Sequence, residues 1–119
     1  MDVPDTSGRD RRMKPLPIYP KRTARRHPRV PADFSFELWH PGGGCRLRAK
    51  NLSMTGMLAR DERRVPEGLV RIELPPPDEG EPVRIEARAF RRPDGLALHF
   101  LALDLPAILT LARHISPHL

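Results

Sequence analysis

The sequence is poor in cysteine, which cross-links small folds, and in aromatic residues, which stack against bases. It has one cysteine, Cys45, which excludes an internal disulfide and a multi-cysteine zinc site. Aromatic residues make up only 5% of the 119 residues, so few side chains can stack against nucleic-acid bases. No apolar run approaches the roughly 20 residues that a membrane-spanning helix needs. We therefore expect a soluble protein without membrane insertion.

Motifs of the common catalytic classes are also missing. The sequence has no P-loop, no G-x-S-x-G elbow, no paired carboxylates and no Cys/His pair at catalytic spacing. Its five histidines lie in unlike contexts, so no metal site is predicted. The first residues, Met1 to Asp5, include acidic side chains and lack the apolar stretch of a secretory signal. These observations predict a cytoplasmic binding protein with no catalytic activity and no cofactor.

The excess positive charge lies at one end of the chain. Residues 1–29 hold nine of the 21 Lys and Arg residues and three acidic residues, whereas residues 30–119 hold 12 of each sign. A basic segment attracts phosphates on nucleic acids, lipids or nucleotides, so charge does not distinguish these partners. Residues 1–24 contain four prolines and few apolar residues. We predict a flexible basic arm over residues 1–21.

From Phe34 onward, apolar residues recur with the period of two that half-buried β-strands require. The alternating segments are 34–39, 46–50, 57–59, 69–74, 83–89 and 96–100. Such short strands between turn residues predict an antiparallel barrel or sandwich. The alternation reverses after Lys50, which predicts a β-bulge that turns Asn51 and Ser53 outward together. Residues 61–64 are predicted to form a solvated loop.

Helical spacing appears at the end of the chain. Asp104 is the predicted N-cap, and Pro117 is predicted to stop the helix before a tail over residues 117–119. The helix is expected to lay an apolar stripe across one opening of the barrel. The predicted stripe contains Leu105, Ile108, Leu111, Ala112 and Ile115.

Two short motifs flank the first predicted hairpin. Residues 25–29 read Arg-Arg-His-Pro-Arg, the pattern R-x-x-x-R, and residues 51–56 read Asn-Leu-Ser-Met-Thr-Gly, the pattern N-x-S-x-x-G. A planar guanidinium can donate two parallel hydrogen bonds to the edge of a guanine and can also grip a phosphate. Several neighbouring arginines therefore suit a phosphate-bearing ligand, and their charge alone does not identify it.

The two motifs, in this order, resemble the signature of the PilZ domain, whose members typically bind the bacterial second messenger cyclic di-GMP. The resemblance covers residues 22–116 and implies an all-β fold, a six-stranded antiparallel PilZ-type barrel with one C-terminal helix. It implies a receptor whose arm folds over the nucleotide and which signals through changed contacts with an effector protein. The implied ligand-binding residues are Arg25, Arg26, Arg29, Asn51, Ser53 and Gly56.

The resemblance also carries one departure and one expectation about glycine. Asn51 stands where the family often has aspartate, and one amide oxygen replaces two carboxylate oxygens as acceptors, which predicts a reduced affinity. Gly56 is expected to permit either a positive-φ turn or close approach by the base.

Two other functions stay open from the sequence. A PilZ-like adaptor that does not bind the nucleotide would act only through protein contacts. A non-specific nucleic-acid binder would use the basic arm, but the few aromatic residues and the balanced charge of residues 30–119 argue against it.

Overall fold

The computed structural model describes residues 28–61 and 65–119, so the predicted arm over residues 1–21 lies outside the described residues. Seven strands come first, followed by helix α1 (Leu105–Ile115) and a 3₁₀ turn (Ser116–His118). The strands are β1 (Val30–Pro31), β2 (Ser35–His40), β3 (Gly43–Leu52), β4 (Gly56–Arg60), β5 (Gly68–Leu74), β6 (Val83–Arg92) and β7 (Gly95–Ala102). Within this part of the chain, no helix has the length and apolar character needed to cross a membrane.

Strands β2 to β7 form a closed antiparallel barrel. Their order is β3-β2-β5-β6-β7-β4, and β4 pairs back onto β3 to close the ring. Closure depends on the length of β3, because its first half pairs with β2 and its second half with β4. Strand β1 pairs with the end of β3, on the β2 side. The predicted six-stranded antiparallel barrel with one C-terminal helix is confirmed.

The barrel interior is filled by the apolar members of the alternating pattern. Leu38, Ile72, Ile85 and Leu98 point inward and are at most 2% exposed. Burial of each such side chain stabilises the fold by about 1.5–3 kcal/mol relative to an exposed position. With the interior packed in this way, the outer wall and its loops are the surfaces left for binding.

Helix α1 adds a further layer against β6. The predicted N-cap is confirmed, because the Asp104 carboxylate accepts a hydrogen bond of 3.0 Å from the Ala107 amide. The predicted stripe is partly wrong: Leu111 and Ile115 are buried, but Leu105, Ile108 and Ala112 are exposed. Small or short side chains take the inner positions instead, namely Ala107 and Thr110. The helical period fits several overlapping arcs, and packing against the barrel selects one of them.

The predicted solvated loop after β4 is wrong at its first residue. The Asp61 side chain is fully buried, and its Oδ2 accepts hydrogen bonds from the Val65 amide at 2.8 Å and from Arg91 Nη1 at 2.6 Å. Arg91 also donates to the Val65 carbonyl. The hydrogen bond from Arg91 of β6 thus holds this carboxylate in a buried position. The other residues of the predicted loop, 62–64, lie outside the described residues.

Candidate functional site

The second motif lies where β3 ends and β4 begins. Ala49 pairs with Ala59 and Asn51 pairs with Leu58, so Lys50 is left without a partner across the ladder. The predicted bulge at this position is confirmed. The Lys50 ammonium donates a 2.8 Å hydrogen bond to the Asp94 carbonyl, which ties the bulge to the turn between β6 and β7.

Ser53 lies inside the turn that joins these strands. Its side chain is buried, at 4% exposure, and its Oγ accepts hydrogen bonds from the Thr55 and Gly56 amides, both at 3.2 Å. The Ser53 amide in turn donates to the Gly56 carbonyl at 2.9 Å. The prediction that Ser53 faces outward with Asn51 is therefore wrong. Strand alternation ends at Leu52, and the turn's own hydrogen bonds decide the direction of the serine.

Asn51 has an unsatisfied acceptor. Its Oδ1 is buried and has no hydrogen-bond donor among residues 28–61 and 65–119. A buried acceptor without a partner costs about 1–3 kcal/mol, and such groups are rare in native structures. Its backbone also pairs with Pro31 of β1, so the orphaned oxygen belongs to a residue that adjoins the N-terminal segment. This position can therefore accept a hydrogen bond from an incoming donor.

Gly56 opens β4 and pairs with His99 of β7. Its φ lies outside the positive range, so the predicted positive-φ turn is wrong. A Cβ atom at Gly56 would lie 2.5 Å from the Leu98 carbonyl oxygen, which is closer than side chains tolerate. Glycine is therefore required here for the approach of two strands. The alternative expectation, close approach by a base, stays a prediction.

The first motif is described only at its last two residues, Pro28 and Arg29. Arg25 and Arg26 lie outside the described residues, whereas Arg29 is exposed directly before β1. In β1, Val30 pairs with Leu52 and Pro31 with Asn51. Arg29 thus lies one residue beyond the ladder that joins β1 to the second motif. Arg29 and the second motif therefore lie on the same side of the barrel, although they are separated by more than 20 positions in the sequence.

Two exposed side chains beside Gly56 were not identified by sequence analysis. His99 pairs directly with Gly56, and Arg88 pairs with His99 on the next strand. Both side chains are exposed, and neither forms an ion pair with another described residue. Only strand register brings them next to the motif, so no local pattern could have found them.

A closed antiparallel barrel whose interior is filled by side chains belongs to the class of small β-barrel domains that have only their outer wall and loops left for binding. The PilZ domain family matches residues 23–116. The chain therefore belongs to this family of binding and adaptor domains, which is known as a family of cyclic di-GMP receptors.

Two solved structures show the same fold. The PilZ domain of CeSA from a cellulose-synthesizing bacterium is 22% identical, with a TM-score of 0.55 over 75% of this chain and 95% of that chain. The PilZ domain of YcgR from Escherichia coli, determined with c-di-GMP, is 18% identical, with a TM-score of 0.59 over 79% of this chain and 90% of that chain. At these identities the similarity establishes the fold. No curated protein sequence matches the chain.

Proposed function

We propose that this protein is a cytoplasmic cyclic di-GMP receptor that binds the nucleotide at the junction of its two motifs. The single observation that carries the proposal is the orphaned Oδ1 of Asn51, next to the segment that bears Arg29. Guanine presents N–H donors on its Watson–Crick edge, and one of them would satisfy this acceptor. Binding would then recover the free energy that the unsatisfied oxygen costs the free protein.

In this proposal, Arg25, Arg26 and Arg29, which lie between the predicted arm and the barrel, hold the ligand. Their guanidinium groups would grip the phosphates and the O6 and N7 edge of guanine. The pairing of Pro31 with Asn51 supports this arrangement, because it places the neighbouring Arg29 near the second motif. Ordering of the arm over the ligand would offset part of the binding free energy.

Ser53 and Gly56 would contribute through the shape of the wall. The Ser53 Oγ holds two amides of the turn, and the bare backbone of Gly56 lets β4 lie close to β7. We propose that they keep Asn51 and the flat surface at Gly56 in position for a guanine. A direct hydrogen bond from Ser53 to the ligand would require its hydroxyl to exchange a partner within the turn.

The proposed receptor performs no chemistry. Closing of the arm changes the surface that the domain presents, and an effector protein distinguishes the two states. The output is therefore a change in protein contacts, without turnover of the nucleotide.

The test is calorimetric titration with cyclic di-GMP of the wild type, Arg29→Ala and a control, Arg84→Ala. Arg84 is also exposed, but it lies on β6 and approaches only Glu73, at 3.8 Å. Loss of one charge-assisted hydrogen bond, about 1.5–3 kcal/mol, should weaken the binding of cyclic di-GMP to Arg29→Ala roughly 10- to 100-fold. Arg84→Ala should bind like the wild type. Absence of heat from the wild type at tens of micromolar ligand would reject the proposal.

A second candidate is an adaptor that binds no nucleotide, and one observation favours it. Helix α1 exposes Leu105, Ile108 and Leu109, at 65%, 38% and 54%. Apolar side chains grouped in this way are typical of protein interaction surfaces. In this case the wild type would give no heat with cyclic di-GMP, and Arg25→Ala would leave the cellular phenotype unchanged.

Non-specific nucleic-acid binding is the third possibility, and calorimetry also distinguishes it from the other two. It predicts heat with single-stranded DNA of any sequence, an affinity that falls steeply with salt, and no preference for cyclic di-GMP over other phosphates.

A further inference from the structure

Three residues form a row across the outer wall beside the second motif. Gly56 of β4 pairs with His99 of β7, and His99 pairs with Arg88 of β6. Residues that pair across neighbouring antiparallel strands lie on the same face of a sheet, and His99 and Arg88 are both exposed. Because Gly56 has no side chain, the wall is low at one end of the row and carries two N–H-bearing side chains towards the other.

Arg88 differs from most other arginines of the barrel in its electrostatic surroundings. Most arginines in the described part of the chain have a carboxylate within 4.0 Å; Arg46, for example, lies 2.8 Å from Glu37. Within residues 28–61 and 65–119, the arginines without such a partner are Arg29, Arg60 and Arg88. Arg60 lies at the far end of β4, so Arg29 and Arg88 are the exceptions near the second motif. Such a guanidinium can bind an incoming acceptor without first giving up an ion pair.

The neighbours of Arg88 on the outer face are apolar. Leu69 of β5 pairs with Arg88, and its side chain is 58% exposed. Phe90 lies two residues further along β6, on the same face, and is 45% exposed. A phosphate gains nothing from apolar neighbours, whereas a purine has two apolar faces and an edge that carries hydrogen-bond acceptors. The surroundings of Arg88 therefore favour a base over a phosphate.

Arg88 and Asn51 are placed to bind different bases. Asn51 lies on β3 and Arg88 on β6, and strands β4 and β7 lie between them in the closed barrel. Neighbouring strands are about 4.8 Å apart, so the backbones of the two residues are separated by roughly 14 Å along the wall. Cyclic di-GMP carries two guanines, so a ligand with one guanine at Asn51 has a second guanine to place. The row from Gly56 to Arg88 runs away from Asn51 across this wall.

We infer that Arg88 is a specificity-determining residue that binds the O6 and N7 edge of the second guanine of cyclic di-GMP. The inference rests on the proposed function and deepens it, because it needs the first guanine at Asn51. The fork of a guanidinium donates two parallel hydrogen bonds to these two acceptors. His99 lies between Gly56 and Arg88, and its ring gives the base a face for stacking.

The experiment compares cyclic di-GMP with its 7-deaza analogue by calorimetric titration of the full chain. The analogue carries a C–H group in place of each N7 and keeps both O6 and the Watson–Crick edge. Arg88→Ala should weaken the binding of cyclic di-GMP roughly 5- to 150-fold, the range expected for one bidentate contact with a base. The same substitution should weaken binding of the analogue only about 2- to 12-fold, because one of the two hydrogen bonds is already absent.

Three further variants sharpen the test. His99→Ala should weaken both ligands by the same factor, because stacking on a ring does not depend on N7. Arg84→Ala is the matched control, because Arg84 is exposed on the same strand and has Glu73 as a partner at 3.8 Å; it should bind both ligands like the wild type. Arg88→Met keeps a long side chain without donors. It should match Arg88→Ala, and it decides the question if Arg88→Ala does not fold.

Two results would overturn the inference alone. One is a wild type that binds cyclic di-GMP while Arg88→Ala and Arg88→Met bind it equally well. The other is an equal loss of affinity for cyclic di-GMP and the analogue in the Arg88 variants, which is the result that a contact with a phosphate would give. A wild type without heat from cyclic di-GMP would instead overturn the proposed function, and this inference with it.

Discussion

Substitution of Gly56 by alanine separates a structural role of the motif glycine from a ligand-binding role. The added Cβ would lie 2.5 Å from the Leu98 carbonyl oxygen, whereas ordinary contacts are 3.4–4 Å. Strands β4 and β7 would have to separate by about 0.9 Å to restore contact distance. The obstructing atom belongs to the backbone of a paired strand, so it cannot move aside as a side chain does.

The expected loss of stability follows from the hydrogen bond that this separation of the strands would break. The hydrogen bond from the Phe100 amide to the Thr55 carbonyl is 2.9 Å long beside this pair, and an increase of about 0.9 Å would take it out of range. Loss of that bond costs about 0.5–1.5 kcal/mol. Overpacking of this kind costs about 1–3 kcal/mol in total, and we expect Gly56→Ala to lose about 2 kcal/mol of unfolding free energy.

The assay is chemical denaturation followed by far-ultraviolet circular dichroism, with Gly44→Ala as the matched control. A Cβ at Gly44 would lie 2.8 Å from an atom of the Trp39 side chain, which is 40% exposed and can rotate away. Gly44→Ala should therefore cost less than Gly56→Ala, with unchanged denaturant slopes for both. The reasoning is refuted if Gly56→Ala is as stable as the wild type, and a loss of nucleotide binding without loss of stability would assign the glycine to the ligand.

Two further predictions concern side chains at the site and at the opposite end of β4. Asn51→Ala should leave the stability unchanged or slightly raised, because it removes an unsatisfied buried acceptor, but it should weaken cyclic di-GMP binding about tenfold. A lower stability in a denaturation experiment, or an unchanged affinity by calorimetry, would contradict this prediction. Asp61→Ala should lower the free energy of unfolding by about 2–4 kcal/mol, because it leaves Arg91 and the Val65 amide without their carboxylate. The 40% exposure of Arg91 keeps this loss below that of a fully buried ion pair. The control is Asp33→Ala, which breaks the ion pair between Arg48 and Asp33, whose side chain is 83% exposed; it should lower the free energy of unfolding by less than about 1 kcal/mol. Equal losses for the two variants would show that burial does not matter here.

Much of the barrel could be predicted because its strands obey a period of two. Val70, Ile72 and Leu74 alternate with outward residues along β5, and all three are buried. The bulge was predictable for the same reason, since a reversal of the alternation after Lys50 has few structural explanations. Where a local pattern determines the side-chain direction, sequence and structure agree.

The misjudged residues are those whose direction depends on a hydrogen bond or a packing contact that the strand and helix periods do not encode. Ser53 faces inward because amides after the strand bind its Oγ, and Asp61 is buried because Arg91 comes to it from β6. The proximity of His99 to Gly56 depends on pairing between β4 and β7, which adjoin only in the closed barrel. Helix α1 buries Ala107 and exposes Leu105, because the space left by the barrel suits the smaller residue. No single-sequence pattern contains this information.

Closure of the sheet also limits how another protein can recognise this domain. Each barrel strand is hydrogen-bonded to a neighbour on either side along part of its length, so none offers a fully open edge along which a partner's strand could add itself. Among the described strands only β1 ends the sheet with a free side, and two residues are too short to template such pairing. Recognition must therefore use side chains and surface shape, and the same closure protects the folded domain from edge-to-edge aggregation.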